Sequence, residues 1–242
     1  MVTEAPAFLD LCEEAGANVE AIRSVFECKR NGRLMPMESR WYASLEQGTP
    51  DYAIYDEDAY LGEAWACWMN WSRAYLRWVQ RKGVFRMAHP KRIADLGCGI
   101  GWTTLTLAMM HPRAEVFGTQ RLDSTQARVA QLLSEQTGVR FTIVGELADV
   151  GEADAVFASE YFEHFAEPVA HLRDVLALKP RVLVHASTFG IRSPGHFDNY
   201  TIDGKLVPGG RMVGRAFAGE LRTHEYRMIA TGWKGRPTAW AK

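Results

Sequence analysis

From Arg92 onward the chain alternates short apolar runs with helical segments, and this alternation restricts the possible folds more than any single motif does. The runs are "RIADLG", "AEVFGT", "FTIVG", "DAVFAS" and "RVLVHASTF", with helices expected at 102–110, 124–137 and 168–178. Each run is continuously apolar rather than alternating, the pattern of parallel strands buried on both faces. Repeated βα units of this kind wind helices onto both sides of one sheet through right-handed crossovers. After a Gly- and Pro-containing loop, "GIRSPGHFDNYTIDGKLVPGG", and a helix at 211–221, the segments "YRMIATGW", "KGRP" and "TAWAK" read as strand, turn and strand. The expected fold is α/β: a doubly wound, mostly parallel seven-stranded sheet with a C-terminal antiparallel hairpin and a helical N-terminal cap. Ligands of such sheets bind outside the carboxyl ends of the strands.

The texture changes at His89–Pro90, which divides a helical cap, residues 1–90, from the βα region, residues 91–242. In "DEDAYLGEAWACWMNWSRAYLRWVQRKG" the residues Ala64, Trp68, Trp71, Tyr75 and Trp78 fall at steps of four and three, one face of a single amphipathic helix. Acids open it and Arg81, Lys82 and Gly83 close it, as the helix dipole favours. The aromatic stripe is read as core. A chain of 242 residues, 47% hydrophobic, can bury a full core of this kind.

Cys12, Cys28, Cys67 and Cys98 form no C-x-x-C pair, so neither a zinc cage nor a disulfide framework is expected. No basic-then-apolar leader and no bilayer-length apolar run is present, and a soluble, cytoplasmic protein with no membrane partner is expected. The net charge of -1 hides an uneven distribution: residues 1–70 carry thirteen acids and five bases, whereas 71–92 carry seven bases and no acid. The tail from Lys205 is also basic. Such patches can attract a polyanion, although a solvated face is the commoner reason for a charge run.

"RIADLGCGIGWTT" runs an apolar strand through Asp95 into Gly97, Gly99 and Gly101 and then into a helix. Glycines there permit a tight turn and close backbone approach, and the helix start offers unpaired N–H groups to an anion. The spacing is G-x-G-x-G, with Trp102 where a dinucleotide fingerprint would carry its third glycine. In this form the segment resembles the first motif of the class I S-adenosylmethionine-dependent methyltransferases, a Rossmann-like superfamily, and the resemblance extends from about Arg92 to the final hairpin. It implies S-adenosylmethionine as cofactor. It places Asp95, Gly97, Cys98, Gly99 and Gly101 around the methionine part, Glu146 and Leu147 at the adenine, and the end of the fourth strand, with Glu160, near the methyl group. One departure concerns the second strand: the family usually ends it in an acid that takes both ribose hydroxyls, and here Gln120 stands there. A neutral acceptor makes weaker hydrogen bonds than a charged one.

"SEYFEHF" supplies the remaining candidates. If Glu160 ends the fourth strand and a helical turn follows, Glu163 and His164 come three and four residues later and all three can face one cleft. Two carboxylates and an imidazole can hold a divalent ion that would acidify a hydroxyl. Methyltransferases acting on the terminal ribose of small RNAs, and those of ubiquinone biosynthesis, have a similar run tied to a metal; the RNA enzymes add a later histidine, for which His196 is the counterpart. Glu-His after the fourth strand also occurs in relatives that bind no metal, where the histidine is a base or a structural group. We take His164, Glu160 and Glu163 as catalytic candidates and assign no metal site; a divalent metal is compatible with the run but not favoured. His185, inside an apolar strand, is read as a core histidine.

The leading expectation is methyl transfer to an oxygen of a small-molecule acceptor, with the cap and the 190–210 loop walling the pocket and Tyr52, Tyr55 and Tyr60 as cap contacts. A nucleic-acid (ribose or base) methyltransferase is the first alternative, and a non-catalytic scaffold with a degenerate cofactor site, motivated by Gln120, is the second. The acceptor and the oligomeric state are not legible.

Overall fold

The structure is a computed structural model that describes residues 7–230 and 237–242. Five parallel strands form its centre: β1 (Arg92–Leu96), β2 (Glu115–Thr119), β3 (Thr142–Val144), β4 (Ala155–Ser159) and β5 (Val182–Ala186). Near the C-terminus β8 (Arg227–Met228) and β9 (Thr238–Ala241) complete a seven-stranded sheet in the order β3-β2-β1-β4-β5-β9-β8. Neighbours from β3 to β5 are parallel, whereas β9 runs antiparallel to both β5 and β8. The expected architecture and its closing hairpin are therefore present. Residues 231–236, which include most of the expected "KGRP" turn, lie outside the described residues.

The helices α6 (Trp102–Met110), α7 (Thr125–Thr137), α8 (Leu147–Val150), α9 (Pro168–Leu176) and α10 (Arg211–Thr223) fill the connections. Alternate strand residues enter two separate apolar clusters. Ile93, Ala155 and Phe157 join one, and Ala94, Leu96, Val156 and Ala158 join the other, so the clusters lie on opposite faces of the sheet.

The N-terminal helices α1 (Phe8–Glu14), α2 (Val19–Arg30), α3 (Pro36–Glu46), α4 (Asp58–Cys67) and α5 (Arg73–Lys82) contribute to both clusters. Phe8 stacks on Trp65 at 4.5 Å between ring centroids, and both meet the Trp102 indole edge-on. On the other face Trp41 and Tyr42 pack with Phe197 and Tyr200.

Two local features differ from expectation. The long aromatic helix is not continuous, because a π-helical turn, Trp68–Ser72, separates α4 from α5. The extra residue in that turn advances the buried face by one position. Trp68, Tyr75 and Trp78 are buried as expected, but Trp71 is 54% exposed and Ser72 takes the inward place at 5%. The 190–210 loop also contains a hairpin, β6 (Asn199–Ile202) and β7 (Lys205–Pro208), turned by Asp203 and Gly204, both at positive φ. That Asp-Gly pair between apolar residues is the sequence signal for such a turn.

Candidate active site

The carboxyl ends of β1, β2, β3 and β4 open onto one cavity of about 1510 Å³. Its floor is the glycine turn. Gly97, Gly99 and Gly101 all have positive φ, at 61°, 53° and 83°. Cys98 N–H donates to Thr119 O at 3.0 Å and Gly97 N–H to Thr119 Oγ1 at 2.9 Å, which ties the turn to the end of β2. A Cβ on Gly97 would come within 2.5 Å of the Tyr161 ring, so the tyrosine that follows Glu160 lies directly over the turn. Gly101 serves a different purpose. It does not line the cavity, and a Cβ there would meet Ala130 Cβ at 2.7 Å, so its small size lets α6 approach α7.

Asp95 sits beneath this floor, 1% exposed, and one of its oxygens accepts bonds from Thr103 Oγ1 at 2.5 Å and Thr104 Oγ1 at 2.6 Å. Burial pushes its carboxyl up to about 7 although both hydroxyls oppose the shift. At the end of β2, Gln120 Oε1 accepts from Arg121 N–H at 3.0 Å and its amide donates to Gln126 Oε1 at 3.0 Å. Glu146 and Leu147 line the cavity beyond β3, where Glu146 caps α8 reciprocally with Asp149.

The "SEYFEHF" run leaves β4 through Glu160, whose φ is 51°, into a single 3-10 turn, Phe162–His164. This geometry places the three side chains at different depths. Glu160 and His164 line the cavity, but Glu163 is fully buried behind its wall, where Oε1 accepts from Thr188 N–H and Thr188 Oγ1, each at 2.8 Å. His164 Nδ1 is hydrogen-bonded to Tyr55 Oη at 2.9 Å. Burial first, and His196 second, lower the His164 ring to about 4, so it is neutral at neutral pH. Burial keeps the Tyr55 phenol well above its usual range.

His196 arrives from the opposite loop. Its ring lies 4.8 Å from that of His164, and Trp41 Nε1 donates to its carbonyl at 2.6 Å. Donor atoms of Glu160, Glu163 and His196 lie within 4.8 Å of one another. Glu163 Oε2 is buried with no hydrogen-bond partner among the described residues. The chemistry and compactness of this set fit a divalent cation, with His196 rather than His164 as the imidazole.

Sequence reasoning passed over several cavity residues. Lys29, Glu63, Cys67, Ser72, Gln126, His171 and Thr188 all line it, and none belongs to a motif. Ser72 reaches it only because of the π turn, which sets its hydroxyl 2.9 Å from that of Ser159 at the end of β4. His185 is a satisfied core histidine, its Nε2 2.7 Å from Thr238 Oγ1.

Residues 94–183 match the model of the methyltransferase-domain family, a span that begins inside β1 and ends inside β5. Over that span the chain carries a methyltransferase domain. Two solved structures share the fold of this methyltransferase. The N-terminal domain of EvdMO1, crystallised with SAH bound, superposes with a TM-score of 0.51 and 18% identity over 68% of this chain and 80% of that one. An O-methyltransferase family protein from Burkholderia thailandensis gives 0.53 and 16% identity over 77% of this chain and 60% of that one. In the methyltransferase, as in the parallel sheets of its class, the cavity lies at the carboxyl edge where strand order reverses between β1 and β4. No helix among its described residues is long and apolar enough to cross a membrane.

Proposed function

We propose that the protein transfers the methyl group of S-adenosylmethionine to a hydroxyl oxygen of a small molecule. One observation carries this reading: a single cavity runs from the glycine turn and Gln120, past the end of β4, to the Tyr55–His164 pair. Cofactor and acceptor thus have adjoining places. Gly97, Cys98 and Gly99 face the methionine part above Asp95, Gln120 meets the ribose, Glu146 and Leu147 flank the adenine, and Glu160 and His164 face the methyl group.

The reaction asks little of the protein beyond alignment. The acceptor oxygen attacks the sulfonium methyl in line, the carbon–sulfur bond breaks, and its electron pair stays on sulfur as the thioether of S-adenosylhomocysteine. The acceptor's proton passes to the neutral imidazole of His164, which Tyr55 holds in place. Glu163, buried and bonded to Thr188, braces this wall from behind. The recess is roofed by Tyr52, Tyr55 and Tyr60 and by the π turn, which suits a small acceptor better than a duplex. Mass spectrometry of acceptor mixtures incubated with deuteromethyl-labelled cofactor tests the reading. A labelled ether product supports it, and label on nitrogen or carbon alone overturns the choice of oxygen.

A metal-assisted version is favoured by one specific observation, the compact Glu160, Glu163 and His196 set with its orphaned buried oxygen. Those three residues would hold the ion, which when bound would acidify the acceptor hydroxyl. Exhaustive treatment with EDTA separates the two versions. Activity lost and restored by Mg²⁺ or Mn²⁺ supports the metal, whereas unchanged activity and unchanged cofactor affinity remove it.

A further inference from the structure

We propose that Glu63 recognises a cationic, hydrogen-bond-donating end of the acceptor, so that the substrate class is a hydroxyl compound bearing an amine. This rests on the methyltransferase reading above and narrows its acceptor. Glu63 belongs to α4 and lines the cavity, yet it is only 5% exposed. Burying a carboxylate is costly unless a counter-charge accompanies it. Here the counter-charge is Lys29 of α2, with Nζ 2.8 Å from Oε1 and 2.7 Å from Oε2.

The two partners are held very differently. The Glu63 side chain is 6% exposed and fixed on a packed helix, whereas that of Lys29 is 36% exposed at the last turn of α2. Gly62 makes the pairing possible, since a Cβ there would lie 3.0 Å from both Ile22 O and Val25 Cβ, and this close approach brings the end of α2 over Glu63. Glu63 cannot leave the cavity, but the long lysine stem can swing into water. Its ammonium therefore keeps the place that an acceptor ammonium would take. Oε2 receives no well-aligned hydrogen bond even with Nζ nearby, so a better-directed donor would gain there.

The rest of the cavity has the charge that a cation requires. Its other fixed cations are engaged: Arg121 pairs with Asp56 at 2.6 Å, and Arg192 pairs with Asp198 at 2.8 Å while lying over the Tyr42 ring. Glu146 lines the same space with no ion pair among the described residues, so no fixed cation there repels an ammonium. Next to Glu63, Cys67 is a neutral thiol, because burial first, and the charges of Glu63 and Glu160 after it, push its pKa up. On α4, Glu63 comes one turn after Tyr60, whose ring lies 4.8 Å from that of Tyr55, the residue bonded to His164, so Glu63 belongs to the acceptor side of the cleft.

The test uses the full chain loaded with S-adenosylhomocysteine and three phenols that differ only at one end: tyramine, p-cresol and 4-hydroxyphenylacetate, each titrated calorimetrically. Tyramine is expected to bind at least tenfold more tightly than p-cresol, and the carboxylate compound more weakly than either. Glu63→Gln should bring tyramine down to the p-cresol level and leave affinity for p-cresol and S-adenosylhomocysteine unchanged. Lys29→Met, which removes the internal competitor, should tighten tyramine binding, a result that a purely structural ion pair would not give. Equal affinities for the three phenols, undetectable tyramine binding, or loss of tyramine binding in Lys29→Met would each overturn the proposal while leaving the methyltransferase reading intact. A wild-type protein that binds no S-adenosylhomocysteine would overturn both.

Discussion

Gln120 stands where a charged acceptor is expected, and its surroundings show how an amide is kept there. Its carbonyl takes the Arg121 N–H and its amide reaches Gln126, which in turn donates to Tyr55 O at 3.3 Å. One amide N–H and one carbonyl lone pair remain for a ribose. Gln120→Glu keeps the length and the Arg121 bond while supplying a charged acceptor. It should tighten S-adenosylhomocysteine binding about tenfold, on the order of 1.4 kcal/mol, as read by calorimetry. No change would place the ribose elsewhere. Asp95 makes a pH prediction. Its carboxyl moves from 3.8 in an unfolded chain to about 7 in the folded protein, so the native state holds a proton that the unfolded state releases between those values. Stability from this group is fully present below pH 3.8 and is lost as pH rises through about 7. Asp95→Asn should flatten that slope, which amounts to at most about 4 kcal/mol, in denaturant titrations of the unliganded protein across the window. The glycine turn and Gln120 were legible because their positions are set by neighbours in sequence. The depth of Glu163 was not, because the left-handed backbone at Glu160 and the single 3-10 turn set it behind the cavity wall, and nothing in "SEYFEHF" encodes that turn.

Among the elements, the π turn has the most direct bearing on the site. It breaks what the spacing of Trp68, Trp71, Tyr75 and Trp78 presents as one helix, turns Trp71 outward and aims Ser72 at Ser159. π turns arise where one residue has been inserted into an α-helix, often at functional positions. Removing the exposed Met69 should restore continuous α-helix, withdraw Ser72 from Ser159 and rotate Ala64 or Tyr75 out of register with the cavity. The expected result is at least a tenfold loss of cofactor affinity, with helix content by circular dichroism unchanged. Undiminished affinity would mean that the interruption is only a packing accommodation. A 3.6-residue period cannot announce such an interruption, since the residues on each side of it remain correctly spaced within their own segments. The β6–β7 hairpin is the opposite case. Its signal, Asp203-Gly204 between apolar residues, was present in the sequence but submerged in the surrounding glycines and prolines.

The division at His89–Pro90 looks sharp in sequence, yet the apolar clusters run across it. Phe8, Leu11, Ile22 and Leu61 share a core with Trp102, Leu105, Val129 and Leu133, and Trp41 and Ile54 share the other with Phe162, Leu172 and Phe217. We expect the N-terminal helices and the sheet region to unfold together, in one transition with coincident fluorescence and circular dichroism midpoints, and residues 91–242 alone to expose enough apolar surface to bind ANS. Two separated transitions would instead make the cap an autonomous unit. The succession of strands along the chain was legible because continuous apolar runs state it directly. The shared core was not, because contacts between Phe8 and Trp102 span most of a hundred residues and leave no local pattern.

That shared core also sets terms for changing what the protein accepts. The helix that carries Glu63 faces the cavity with one side and the α2 helix with the other, through Gly62. Transplanting a different roof from a relative would therefore require rebuilding an interface inside the molecule, whereas exchanging only the inward positions Glu63 and Cys67 leaves every helix crossing untouched. New acceptors are within reach of substitutions along a single face, and grafted modules are the harder route.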